Sequence, residues 1–129
     1  MMNNKRIASE LNRIAKGLVS SGEVANTEGE YKKFTGNIKW RGSQGKVRNA
    51  TFKLVRDGII WEDGIWERGI WKDGVWKDGV WKWGDWEDGR WERGIWKDGT
   101  WMKGTWKRGK WEYGLNKQGE EHLDSPNNW

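Results

Sequence analysis

A tryptophan every five residues is the strongest constraint on what this chain can fold into. Trp61, Trp66, Trp71, Trp76, Trp81, Trp86, Trp91, Trp96, Trp101, Trp106 and Trp111 are each followed by glycine three residues on, from Gly64 to Gly114. Five residues of α-helix advance about 500°, so successive indoles would wind round the axis, and a glycine in every unit would cost ~1 kcal/mol relative to alanine. In a straight strand an odd spacing sends consecutive side chains to opposite faces. Only a chain that bends once per unit keeps all the indoles on one side. The period predicts a coil with five-residue sides over 61–114.

The other slots say which way the indoles face. The residue before Trp is Ile65, Ile70 or Val75 in some units but Asp85, Arg90 or Lys110 in others, and the two residues after Trp are almost wholly charged. Unpaired charge is not tolerated in an interior, so the expectation is a core ladder of Trp with Gly as the small inward or corner residue. Trp83 adds an indole at a slot that reads as outward.

Charge also bears on circumference. WEDGI-WERGI-WKDGV returns as WEDGR-WERGI-WKDGT 25 residues later. Five units per turn would stack Glu62 on Glu87 and Arg68 on Arg93, which is unfavourable at strand spacing. Four units per turn stack Arg68, Asp88 and Arg108 with alternating sign and bring Glu62 to Lys82. The expected fold is all-β: a short quadrilateral β-solenoid of about four units per turn, preceded by an amphipathic helix.

Units such as Gly69-Ile70-Trp71-Lys72-Asp73 resemble pentapeptide-repeat proteins, which are right-handed quadrilateral β-helices with a large centre residue and a small residue two before it pointing inward. The resemblance implies Trp at the centre slot and Gly at the small one. A folded sheet like that of the MORN repeat is the alternative architecture.

The ends are less regular. Residues 1–20 place Ile7, Leu11, Ile14 and Leu18 on one stripe of an amphipathic helix flanked by Lys5, Arg6, Arg13 and Lys16. The run Arg6-Ile7-Ala8-Ser9-Glu10-Leu11, continuing Arg13-Ile14-Ala15-Lys16, resembles the N-termini of uncharacterised bacteriophage proteins. Residues 21–33 read as a polar linker. Residues 34–60 alternate as irregular strands capping the solenoid, with a turn over 41–45 and one extra residue near Ile59 that reads as a bulge or widened corner. Residues 115–129 read as a polar cap or tail, with Trp129 able to dock on an open solenoid end.

Low hydrophobicity and high charge would suggest disorder, but fourteen Trp bury too much apolar area for that. With no Cys and one His, His122, neither a zinc site nor a Cys/His nucleophile can be assembled, and no phosphate loop is present. No cofactor, metal or catalytic residue is expected. No apolar run reaches membrane-span length and no secretory leader is read, so a cytoplasmic or virion location is expected. Residues 1–60 carry twelve Lys/Arg against five Asp/Glu, a surplus of seven, while 61–114 carry eleven of each.

The leading functional expectation is a non-enzymatic structural or assembly protein, such as a virion component. Its partners would be copies of itself or other structural subunits, met through the helix and the coil ends. The alternatives are glycan binding through exposed indoles and nucleic-acid binding through the basic region 32–56. Beside the helix stripe, the candidate contact residues are Lys39, Trp40, Arg41, Lys46, Arg48 and Trp83.

Overall fold

The computed structural model describes residues 23–129. The helix expected over 1–20, with Ile7, Leu11, Ile14 and Leu18, lies outside the described residues.

The repeat is a β-solenoid. After the long strand β4 (Gly58–Trp71) come β5 (Gly74–Trp76), β6 (Val80–Trp81), β7 (Asp85–Trp86), β8 (Arg90–Trp91), β9 (Ile95–Trp96), β10 (Thr100–Trp101), β11 (Thr105–Trp106) and β12 (Lys110–Trp111). Each pairs in parallel with the strand three units away: Trp61 with Trp76, Trp66 with Trp81, Trp71 with Trp86, Trp76 with Trp91. A turn is therefore three units, or fifteen residues. The expected quadrilateral coil of four units is corrected to a three-sided one. The parallel pairing of the units also sets the repeat apart from a folded meander.

The indoles show why three sides close. Consecutive indoles around a turn meet edge to face, as Trp71 and Trp76 do at 70° and 5.8 Å. Those one turn apart lie flat on each other, Trp71 on Trp86 at 4.9 Å and 6°. Three columns of stacked rings fill the lumen, and both arrangements are favoured aromatic geometries. Trp61 to Trp96 have no exposed surface.

Corners fall at the glycines. Gly84 has φ +136°, and a Cβ built there would overlap the carbonyl oxygen of Gly69 in the turn below. Glycine is demanded both by the left-handed backbone and by the approach of stacked corners. Of the inward and corner roles expected for glycine, the corner is the one that the stacked backbone imposes. Where aspartate precedes the corner glycine it accepts that glycine's N–H, as Asp88 does from Gly89 at 2.8 Å.

The outer charges follow the fifteen-residue register. The column Glu62, Lys77, Glu92, Lys107 alternates in sign. Lys77 meets Glu62 at 3.0 Å, Lys82 meets Glu67 at 3.5 Å, Lys72 meets Glu87 at 3.0 Å and Arg93 meets Asp78 at 3.2 Å. Each pair contributes little stability at an exposed site, but all agree on one register.

Before the solenoid stands an antiparallel meander. β1 (Val24–Ala25) pairs in parallel with β2 (Lys32–Trp40), which pairs antiparallel with β3 (Ser43–Val55), and β3 pairs antiparallel with β4. The stretch 21–33, expected as a linker, thus contains a strand at its described start: Ala25 is buried, and Asn37 N–H donates to Glu23 O at 2.9 Å. The turn between β2 and β3 is the two residues Arg41 and Gly42, both at positive φ, which matches the twist of a tight hairpin. Arg56 and Asp57 form a second two-residue hairpin turn. The extra residue near Ile59 therefore reflects a reversal of chain direction, not a widened corner.

β3 lies along the N-terminal edge of β4, and Phe52 stacks on Trp61 at 5.9 Å and 8°, extending a Trp column downward. At the other end β13 (Gly114–Leu115) pairs antiparallel with β14 (Glu121–His122). A 3-10 turn at Pro126–Asn128 then lays Trp129 edge-on against Trp111 at 5.4 Å and flat over His122 at 4.2 Å.

Candidate interaction surfaces

The eleven core-ladder Trp, 61 through 111, are unavailable to a ligand: their exposure is zero up to Trp96 and reaches only 2, 4 and 9% at Trp101, Trp106 and Trp111. Several indole N–H groups reach the turn above, as Trp81 Nε1 donates to Asp98 O at 3.1 Å. Those of Trp61, Trp66, Trp71, Trp76 and Trp91 are buried without an acceptor among the described residues, Trp61 lying against the corner Gly79. Trp83 is different, with 55% of its surface exposed.

Trp83 closes a row that the meander builds. Asn37 pairs with Lys46 and Lys46 with Arg68 across β2, β3 and β4. In the register of Trp66 with Trp81, Trp83 follows Arg68 one turn on. The row borders a groove of about 390 Å³ whose lining also includes Lys39, Gln44 and the glycines Gly45 and Gly69. A Cβ on Gly45 would strike the buried Trp66 indole and one on Gly69 would strike the Gln44 carbonyl, so the close approach of β3 to β4 along the floor of the groove requires glycine at both positions. Among the described residues no carboxylate lines this groove.

Of the candidates among the described residues, the structure brings Lys39, Lys46 and Trp83 together and sends Trp40, Arg41 and Arg48 elsewhere. Trp40 is half-buried, donates from Nε1 to Val55 O at 2.7 Å and carries the Arg41 guanidinium 4.8 Å above its ring. Arg48 pairs with Glu67 at 2.9 Å. Sequence reasoning missed Arg68 and the floor glycines. Arg68 and Gly69 resemble every other repeat unit and Gly45 reads as part of a turn, so only the non-local pairing of β3 with β4 distinguishes them.

A second groove, of about 720 Å³, runs along one corner of the solenoid past Glu62, Lys77, Asp78, Glu92 and Arg93. Its charges are balanced and largely paired. At its N-terminal end Tyr31 O–H donates to Glu62 at 2.7 Å; this bond, then Lys77, holds the Glu62 carboxyl below its ordinary value, and the same bond to Glu62 raises Tyr31. The ammonium of Lys53 sits 4.7 Å over the Tyr31 ring.

The C-terminal end is the third surface. β11 pairs only with β8 and β12 only with β9, so their outer peptide edges carry no further strand among the described residues. The tail substitutes side chains: Asn127 Nδ2 donates to Trp106 O at 2.6 Å, and Trp111 Nε1 donates to His122 O at 3.0 Å.

Among the described residues no group of His, Cys, Asp and Glu is disposed to hold a metal, and no helix is long and apolar enough to cross a membrane. No family model matches the chain, and neither a curated protein nor a solved structure does.

Proposed function

We propose that the protein is a non-enzymatic assembly element, a three-sided rod that pairs end to end with a second copy through its C-terminal face. The observation carrying this is the open edge of β11 and β12, where ladder indoles begin to be exposed. Unpaired strand edges are templates for association. The end also carries both signs: one charge column finishes on Lys107 and another on Glu112, with Glu120 and Glu121 in the tail. A two-fold pairing needs such self-complementarity. Placement of the rod in a virion is a finer proposal, resting on the likeness of residues 6–16 alone.

Sedimentation velocity over a range of concentrations tests the reading. A reversible dimer is expected, with Trp111 and Trp129 protected from acrylamide quenching as it forms. A strict monomer at the highest soluble concentration overturns it. Glycan binding by the repeat is disfavoured because its ladder indoles offer no ring face; Trp83 is the indole of 61–114 with a face to offer.

A further inference from the structure

The row at Trp83 gathers cations with no acid among the residues lining its groove. On the repeat most charged neighbours one turn apart are opposite in sign, as Lys77 and Glu62 are, although Asp63 and Asp78, Asp73 and Asp88, Lys82 and Lys97, and Arg93 and Arg108 are not. Here Lys46 and Arg68 are direct cross-strand partners of like sign, an arrangement that destabilises a sheet. Among the described residues neither is in an ion pair, nor is Lys39, although Arg48, two residues from Lys46, has its glutamate. Next to this unrelieved charge stands the exposed indole. Its slot is filled by Arg68 one turn below and Asp98 one turn above, so nothing in the repeat itself asks for an aromatic there.

Local features that oppose stability collect at functional sites. Unpaired cations ask for an anion; an exposed flat ring asks for another flat face. We propose that the groove between Trp83 and the β2–β3 pair binds single-stranded nucleic acid, one base stacking on Trp83 while phosphates lie against Arg68, Lys46 and Lys39. Asn37 and Gln44 supply amide donors and acceptors at the rim.

Three features favour this ligand over an acidic polysaccharide. A nucleotide chain carries one phosphate per base, matching one stacking platform beside closely set cations at a strand spacing of ~4.8 Å. A guanidinium and an ammonium side by side can share the oxygens of one phosphate, which a lone carboxylate serves less well. The charged side chains lining the groove are all cationic, whereas sugar hydroxyls are also well served by carboxylate acceptors. A duplex hides its base faces and would leave Trp83 unused. This inference is independent of end-to-end assembly.

The test is fluorescence anisotropy of a labelled twelve-nucleotide DNA strand with the full-length protein at low salt, repeated at rising salt. Binding is expected to weaken about tenfold in Trp83→Ala and to be largely kept in Trp83→Tyr, in line with the strength of base–aromatic stacking. Lys46→Ala should lower the salt slope by about 0.7, one phosphate contact on a single strand. The same sequence as duplex should bind at least tenfold more weakly. Circular dichroism and thermal melting establish that each variant is folded, which the exposure of Trp83 favours. No binding at low salt, equal binding of the duplex, or indifference to Trp83→Ala would overturn the proposal. So would tighter, Trp83-dependent binding of polygalacturonate, which would make the groove a glycan site.

Discussion

At the N-terminal end of the solenoid the thirteen-residue strand β3 runs antiparallel along β4 and leaves Trp61, Trp66 and Trp71 without exposed surface. At the C-terminal end a two-residue strand, an asparagine amide and Trp129 cover the last indoles incompletely, to 9% at Trp111. Both covers use aromatic rings to finish a Trp column: Phe52 stacks flat on Trp61, and Trp129 meets Trp111 by its edge. They differ in backbone. A long ladder, bulged between Lys46 and Phe52, pairs the peptide groups of the first turn, whereas side chains satisfy only a few of the last. In a solenoid, where each turn contacts only its neighbours, such a difference makes one end a nucleus and the other a place to fray.

The largest expected effect that tests this contrast is at Phe52. It is fully buried between Phe34 and Trp61. Phe52→Ala is expected to cost about 3–5 kcal/mol in chemical denaturation. Trp106→Ala removes a larger side chain, but one stacked on a single side, over Trp91, with 4% already exposed. Because the last turn can relax around the gap, its cost should fall at the lower limit, about 3 kcal/mol. If Trp106→Ala proves as costly as Phe52→Ala, or costlier, the ends are energetically alike and the contrast fails.

Why the repeat was readable and its ends were not follows from which interactions are local. The coil itself was legible in the spacing of Trp and Gly, because each unit must bend in the same way. The number of units per turn depends on which units become neighbours. Charge stacking separates the possibilities only in part, because fifteen residues also bring Asp63 to Asp78 and Arg93 to Arg108. At fifteen residues Glu62, Lys77, Glu92 and Lys107 alternate without a break, a better match than Glu62 with Lys82. The echo at 25 residues does not coincide with the fifteen-residue turn. The hairpin turn at Arg56-Asp57 was masked by its likeness to a repeat corner, since Asp-Gly serves both. Trp83 and Lys46 were each visible as candidates. Their adjacency was not, because it passes through Arg68 and the antiparallel pairing of β3 with β4.

A smaller effect is expected where a side chain stands in for a strand. Asn127→Ala leaves the Trp106 carbonyl without its 2.6 Å donor at the frayed end. A loss of about 1 kcal/mol is expected, with faster hydrogen exchange confined to β11–β14. Faster exchange reaching β4 would mean that the two ends unfold together and that the solenoid is one cooperative unit.

The smallest effect concerns how the charge columns finish. The column that begins at Glu62 is tied to the meander by Tyr31, whereas among the described residues its far member, Lys107, is in no ion pair. Of the causes that hold the Glu62 carboxyl below its ordinary value, the Tyr31 hydrogen bond is the largest, ahead of the hydrogen bond from Lys77. A carboxylate lowered on folding contributes stability that is complete above its unfolded pKa and is lost as pH falls through the folded one. Tyr31 moves the opposite way: donation to Glu62 raises it, so its contribution is present below the ordinary tyrosine value and disappears as pH climbs past the folded one. Tyr31→Phe should therefore move the Glu62 carboxyl resonance to titrate at higher pH and shorten the acid limb of the stability curve, which still begins at the unfolded carboxyl value but ends sooner. It should also abolish the alkaline step. Both sites are largely solvated, so the change in stability at neutral pH should be close to nothing. If Glu62 titrates unchanged in Tyr31→Phe, the tyrosine is a bystander, and the N-terminal end of this column is held by Lys77 alone, like any other pair on the rod.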